Sequence, residues 1–324
     1  MPWVASVPTR REGQRVQIGF AVPMSGSWAT PANQVAVARR AEELGYASLW
    51  TFQRLLFPAD AAGADAARWQ PVYRSVADPL VTLAYLAGHT RRIRLGVAVL
   101  NMPWFAPILL AKQAASLDAV SEGRLDLGLG IGWSRLEYAA AGAPFERRGE
   151  RAEEFLSCLK ALWTDDVVDF DGRFHQVRGA IVEPKPVQSP HPPLLLGGSA
   201  EPALRRAGRL ADGWISSSGQ DLRSIGASVR VVQDAAADAG RDPASLRFVC
   251  RGVVRLRNEP QGPDRRPLTG SLDQIWGDCA ELEARGVTEM FVDLNFDRDI
   301  GVVDAEPQAS MAWALELLEL MAPS

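Results

Sequence analysis

Short apolar runs and helix-period stretches alternate eight times along this chain of 324 residues, and that rhythm limits the folds open to it more than any other feature. "VQIGFAVP" (16–23) reads as a strand and "PANQVAVARRAEELGY" as the helix after it, closed by Gly45. "SLWTF" (48–52) is the second strand; a long polar loop, "PADAAGADAARWQPVYRS", separates it from a helix in "DPLVTLAYLAGHT", where Asp78 is the N-cap and Pro79 lies in the first turn. "IRLGVAVL" (93–100), "RLDLGLGIG" (124–132), "PLLLGG", "DGWISS" (212–217), "RFVCRGVVRL" (247–256) and "TEMFVDLN" (288–295) supply strands three to eight. Strands that read as continuous apolar runs, each followed by a helix, predict parallel β/α units buried on both faces. Eight such units predict a (β/α)₈ TIM barrel, with a doubly wound open sheet as the rival. The open sheet more often shows GxGxxG after its first strand, and "VPMSGSW" is not that motif.

Two stretches interrupt the rhythm. Residues 165–192 read as a small hairpin with a proline-rich approach to strand five, and "RNEPQGPDRRPLTGS" as an insertion after strand seven. No internal repeat or linker divides the chain, so residues 1–324 read as one domain.

Composition narrows the function. The net charge is −4 and the 35 basic residues are dispersed, which argues against nucleic acid or an anionic membrane as partner. The opening "MPWVASVPTRREGQR" has no apolar core of signal-peptide length, and no later segment approaches a membrane span, so the expected location is cytoplasmic. Cys158, Cys250 and Cys279 lie far apart with no CxxC pair and read as buried, reduced thiols. His89, His175 and His191 are equally scattered and offer no metal-ligand spacing; the expected metal content is none.

In a β/α barrel the chemistry sits in the loops after the strands. Those loops hold Ser25, Ser27 and Trp28; Gln53 and Arg54; Asn101, Pro103 and Trp104; Gly130, Gly132 and Trp133; Gly197, Gly198 and Ser199; Ser216, Ser217 and Ser218; and Asp293 and Asn295. There is no Ser/His/Asp set, and the lysines (Lys112, Lys160, Lys185) avoid the strand ends, so Schiff-base and metal-dependent chemistry lack their residues. Trp28, Trp104 and Trp133 suggest a flat, aromatic pocket poor in ionisable groups, suited to a planar cofactor; the alternative is that each packs under its own loop. At "PPLLLGGSAEPALRRAGRLADGW" the apolar run stops on Gly197–Gly198, which lets a ligand approach bare backbone. Ser199 then adds a hydroxyl beside a helix N-terminus, whose free N–H groups and dipole favour an anion. The alternative is a tight strand–helix turn capped by serine. Leu204, Ala207 and Ala211 should face the barrel, and Arg205, Arg206 and Arg209 the solvent.

"RIRLGVAVLNMP", "AKQAASLDAVSEGRLDLGLGIGW" and "PPLLLGGSAEPALRRAGRLADGWISSS" together resemble the luciferase-like flavin- and deazaflavin-dependent oxidoreductases, most of all the coenzyme F420-dependent branch. That resemblance implies a barrel with insertions before strand five and near strand seven. It also implies a non-prolyl cis peptide at Ala98–Val99, pressed against one face of the cofactor ring. Asn101, Gly130 and Gly132 would lie close to the ring, Gly197, Gly198 and Ser199 would hold its phosphate, and Ser217 would lie beside the tail or substrate. Trp28, Arg54, Trp104 and Trp133 would line the substrate pocket. Members of the family often form homodimers through barrel helices.

The departures bear on mechanism. Alcohol-oxidising members carry Asp-His where this chain has Gln53–Arg54, a glutamate where it has Trp133, and a sugar-phosphate-gripping basic residue where it has Gln220. The usual base and acid are therefore missing. Arg54 is open to two readings, a contact to substrate or cofactor tail and a surface salt bridge. The expected activity is hydride transfer between coenzyme F420 and a fairly apolar small molecule. The alternatives are an FMN-dependent monooxygenase fed by a separate reductase, and a non-catalytic cofactor-binding barrel.

Overall fold

The computed structural model describes residues 16–60 and 66–323; the N-terminal stretch read above for a signal segment lies outside the described residues, as do positions 61–65 of the loop after strand two. In chain order the elements are β1 (Gln17–Ala21), α1 (Pro31–Glu43), β2 (Ser48–Thr51), α2 (Pro79–Ala87), β3 (Arg94–Asn101), α3 (Pro107–Val120), β4 (Leu125–Gly130), α4 (Arg135–Ala140), α5 (Arg148–Thr164), β5 (Val168–Asp171) and β6 (Gln176–Ala180). They continue with β7 (Leu194–Gly197), α6 (Glu201–Leu210), β8 (Gly213–Ile215), α7 (Ile225–Asp238), β9 (Arg247–Gly252), β10 (Arg255–Leu256), β11 (Thr269–Gly270), α8 (Leu272–Ala284), β12 (Glu289–Val292) and α9 (Pro307–Leu320). Strands β1, β2, β3, β4, β7, β8, β9 and β12 close into a parallel barrel in that circular order, which is the (β/α)₈ architecture the alternation predicts.

Both interruptions fall where expected. The antiparallel hairpin β5–β6 stands between α5 and β7, and β10 pairs with β11 after β9. Two details differ from the sequence reading. The run 247–256 is two strands, because β9 ends at Gly252 and β10 leaves the barrel to pair with β11. The connection after β4 also contains a short helix, α4, with Ser134 as its N-cap accepting from the Glu137 amide at 3.2 Å. Asp78 caps α2 as expected, accepting from the Val81 amide at 2.9 Å.

Period-two alternation sorts each strand into residues facing the helices and residues facing the barrel axis. On β9, Phe248 and Cys250 face the helix layer while Arg247, Val249 and Arg251 face inward, as do Glu289 and Phe291 on β12 and Asp293 just beyond it. The interior is therefore layered. The end at the strand N-termini is ionic: Asp126 receives Arg94 at 2.6 Å and Arg247 at 2.7 Å, and Arg247 also reaches Glu289 at 2.9 Å. The contact between β4 and β9 crosses the axis, since the two strands are not neighbours in the barrel. Above that layer Trp50 stacks on Phe291 with centroids 5.2 Å apart, among Ala21, Ala98, Leu195, Ile215 and Val249. The third layer opens into a cavity.

All three cysteines are free and buried. Among the described residues no helix is long and apolar enough to cross a membrane, and no group of histidine, cysteine and carboxylate residues is arranged to hold a metal.

Candidate active site

At the strand C-termini a cavity of about 410 Å³ opens over the barrel axis, within the size range of small-molecule and cofactor sites. Of the residues the sequence singled out, it gathers Arg54, Ala98, Val99, Asn101, Gly130, Gly132, Trp133, Gly197, Gly198, Ser199 and Ser217 on its walls. The Ala98–Val99 peptide is cis, as the resemblance implied, and lies where the register of β3 against β4 shifts. Val99 projects across the barrel mouth. A Cβ on Gly130 would come within 2.7 Å of one Val99 methyl, and a Cβ on Gly197 within 3.1 Å of the other. These two glycines keep the floor around Val99 low and flat.

Gly198 stands at φ 137°, a region reserved for glycine, and a Cβ there would press on the Ala203 side chain at 2.7 Å. Gly198, Ser199 and Ala200 are exposed, and the serine is not the helix cap: Ala200 holds that position with no side-chain hydrogen bond. In the first turn of α6 Pro202 has no N–H and the Ala203 amide donates to the Ala200 carbonyl at 2.8 Å, which leaves the Glu201 amide as the turn's open donor. Asn101 receives its backbone order from Gln53, whose Oε1 accepts the Asn101 amide at 2.9 Å. Gln53 thus has a defined task in place of the family's aspartate.

Four sequence expectations need correction. Trp28 is fully buried and packs in the main core beneath the β1 loop. Trp104 stands behind the cavity wall, edge-on to Tyr138 at 6.5 Å, with Gly132 between it and the opening. Of the three tryptophans only Trp133 lines the cavity; the other two follow the packing alternative, because a bulky ring next to a strand end buries more area under a loop than in an open mouth. Arg206 is buried, not solvent-facing, and ties α6 to α5 through Glu153 at 3.3 Å.

The fourth correction concerns charge. The cavity walls carry Arg54, Arg68, Arg148 and Arg251, yet no histidine, carboxylate or cysteine among the described residues. The pocket is poor in acid–base groups and rich in guanidinium. Arg54 is no surface salt bridge: it is largely buried, donates to the fully buried Glu137 at 2.8 Å, and lies 4.2 Å from the ring centre of Tyr73 and 4.7 Å from that of Trp133. Glu137 also accepts the Leu55 amide at 2.9 Å, so the β2 loop and α4 are joined behind the cavity wall.

Arg251, Glu137 and Arg148 escaped the sequence reading, and Asp293 stood among its strand-end residues without a role. Arg251 rises from the end of β9, donates to the Ala98 carbonyl, and faces Asp293 at 3.3 Å. Its guanidinium lies 5.1 Å from the Phe296 ring and 5.4 Å from that of Phe291. Burial pushes the Asp293 carboxyl above its ordinary range, while Arg251 and two hydrogen bonds from Asn295 pull the other way. The signal for Arg251 was present in the alternation Arg247–Val249–Arg251, but reading 247–256 as one strand placed it mid-strand. Arg148 and Glu137 come from segments between barrel strands and carried no strand-end signal.

The profile of the luciferase-like monooxygenase family matches residues 4–266. An uncharacterized protein of Mycobacterium tuberculosis is 37% identical over 219 residues, 66% of this chain and 76% of that one. The FMNH(2)-dependent dimethylsulfone monooxygenase of Pseudomonas putida is 35% identical over 164 residues, 49% of this chain and 45% of that enzyme. Among solved structures, the coenzyme F420-dependent tetrahydromethanopterin reductase of Methanopyrus kandleri superposes with a TM-score of 0.73 at 16% identity, covering 95% of this chain and 98% of that one, a likeness of fold.

Proposed function

The chain belongs to the luciferase-like monooxygenase family, and from that premise we propose that it is an oxidoreductase that passes hydride between coenzyme F420 and a small organic substrate with a flat, fairly apolar body. The observation that carries this reading is the cavity's composition: a glycine-walled floor, an exposed backbone cradle and four arginines, with no described side chain suited to move protons near neutral pH. The residues present fit such a cofactor. Gly130 and Gly197 leave room above Val99 for a planar ring, and Asn101 and Gly132 border it. Gly197, Gly198 and Ser199, with the first turn of α6, would take the phosphate, and Ser217 would lie beside the tail. When bound, a deazaflavin supplies hydride chemistry at its ring without needing a strong protein acid. Phe52, Ile131, Trp133 and Phe296 would hold the substrate body, and Arg54 would orient it without acting as a base.

A second reading is an FMN-dependent monooxygenase served by a separate reductase, and the 35% identity to the dimethylsulfone enzyme favours it. In either case we place a homodimer contact on α2 and α3, where Val81, Tyr85, Leu109 and Val120 are exposed. The deciding experiment is a fluorescence titration of the purified protein with oxidised F420, reduced F420 and FMN. Tighter binding of F420 is the expected outcome; tighter binding of FMN, with oxygen consumption once reduced FMN is supplied, would replace the first reading with the second.

A further inference from the structure

Arg54 and Arg68 both come from the loop after β2, and both line the cavity. Their guanidiniums lie 4.7 and 4.5 Å from the Trp133 ring centre, and that of Arg54 also lies 4.2 Å from the centre of Tyr73. Contact with these rings holds the Arg54 guanidinium in place and leaves its edges for hydrogen bonds. Glu137 takes Nη1 at 2.8 Å, and Nε is buried with no hydrogen-bond partner, so the Nε–Nη2 edge has no acceptor among the described residues. Two parallel donors on one edge of a guanidinium match the two oxygens of a carboxylate.

Charge selects the same ligand. Glu137 already balances Arg54, whereas Arg68 is exposed and makes no ion pair among the described residues. The pair of arginines therefore carries one uncompensated positive charge, the complement of a monoanion rather than of a dianion. Phe52, Tyr73, Trp133 and Phe296 line the same cavity, and Phe52 and Tyr73 pack against Phe296 with centroids 5.5 and 5.9 Å apart. These rings offer apolar surface to the body that carries the charge. We propose that the substrate is a flat monocarboxylate, an aryl or α,β-unsaturated acid, seated on the Nε–Nη2 edge of Arg54 with Arg68 as the second cation. The inference rests on the reading above that gives the floor around Val99 to the cofactor, and it adds the acidic group of the substrate.

The test is a calorimetric titration of trans-cinnamate and of its neutral amide, cinnamamide, into the protein alone and into protein saturated with F420. The two probes share one body, so the ratio of their affinities reports charge and not packing. Cinnamate should bind at least about tenfold tighter than cinnamamide. R68Q, at an exposed site, should lower that ratio about two- to fivefold, and raised salt should lower it in the unaltered protein. R54Q/E137Q removes the ion pair as a pair, so that no buried carboxylate is left alone, and should abolish most of the ratio. A purely structural role of Arg54 would weaken both probes alike, and R68Q gives its own readout should the double variant fold poorly. Equal affinity for the two probes, or no measurable binding of cinnamate to either form of the protein, would overturn the proposal. So would a ratio that persists in R68Q and in R54Q/E137Q, because the carboxylate would then sit elsewhere. Failure of F420 to bind, with the cinnamate ratio and its loss in the variants intact, would overturn the cofactor reading and uphold the carboxylate seat.

Discussion

The two ends of the barrel axis are both built from arginine, and they use it in opposite ways. At the strand N-termini, Arg94 and Arg247 converge on Asp126, Arg247 continues to Glu289, and Ser48 and the Trp50 indole complete the set on Glu289. No side-chain nitrogen or oxygen of these residues is left buried without a partner. At the strand C-termini the Nε atoms of Arg54 and Arg148 are buried without a hydrogen-bond partner, and Arg251 Nε faces Asp293 Oδ2 at 3.3 Å as an ion pair without hydrogen-bond geometry. A closed network stabilises; donors left open inside a cavity are positioned for something that arrives from outside. The difference teaches that burial of charge does not identify the working end of a barrel, whereas incomplete pairing does.

Breaking the closed end should have the largest effect. Asp126→Asn leaves two guanidiniums facing a neutral amide, and the loss should be about 3–5 kcal/mol of unfolding free energy, read by urea denaturation. A loss below about 1 kcal/mol would mean that the lower network is dispensable and the contrast false. At the open end, Ser199→Asp adds a like charge at an exposed position of the anion cradle, so cofactor affinity should fall by more than roughly tenfold while the melting temperature stays close to that of the unaltered protein. Unchanged affinity in the folded variant would remove the phosphate from this turn.

The two buried aspartates should also respond to acid with opposite signs. Against burial, which alone would raise it, hydrogen bonds and charge from Arg94 and Arg247 hold Asp126 below the ordinary carboxylate range. Its stabilisation is complete above the unfolded value of about 3.9 and is lost as pH falls through the lower folded value. Asp293 is raised by burial, so in the folded state it binds its proton at a higher pH than in the unfolded chain, and between those two values its share of stability grows as pH falls. Denaturation of Asp126→Asn and Asp293→Asn across the acid range should remove slopes of opposite sign; slopes of the same sign would show that the two sites are not electrostatically distinct. The smallest effect belongs to turnover itself. His89 contacts Arg39, His175 lies against Phe155 and His191 against Trp163, all away from the cavity, so activity should vary little between about pH 6 and 8. A bell-shaped profile with a histidine-like limb in that interval would mean that one of these rings reaches the substrate.

The Gly197–Gly198–Ser199 turn was legible because it follows an apolar run directly, within a few positions of a strand end, whereas the cis bond at Ala98–Val99 came only through the family resemblance. Trp28 and Trp104 were misplaced because a strand-end tryptophan has the same sequence signature whether it lines a mouth or packs beneath it. Arg54 was visible, but its aromatic walls and its carboxylate were not, since Tyr73, Trp133 and Glu137 come from three other segments.

By itself the sequence determined the barrel, its two interruptions, the Asp78 cap and the Gly197–Gly198 turn, because strand and helix periodicity, turn glycines and capping residues act over a few neighbours in the chain. Only the tertiary structure decided which charges are neutralised. Asp126 meets Arg247 across 121 positions and Arg251 reaches the Ala98 carbonyl across 153, and such pairings exist only once the barrel closes and brings opposite strands within hydrogen-bonding distance.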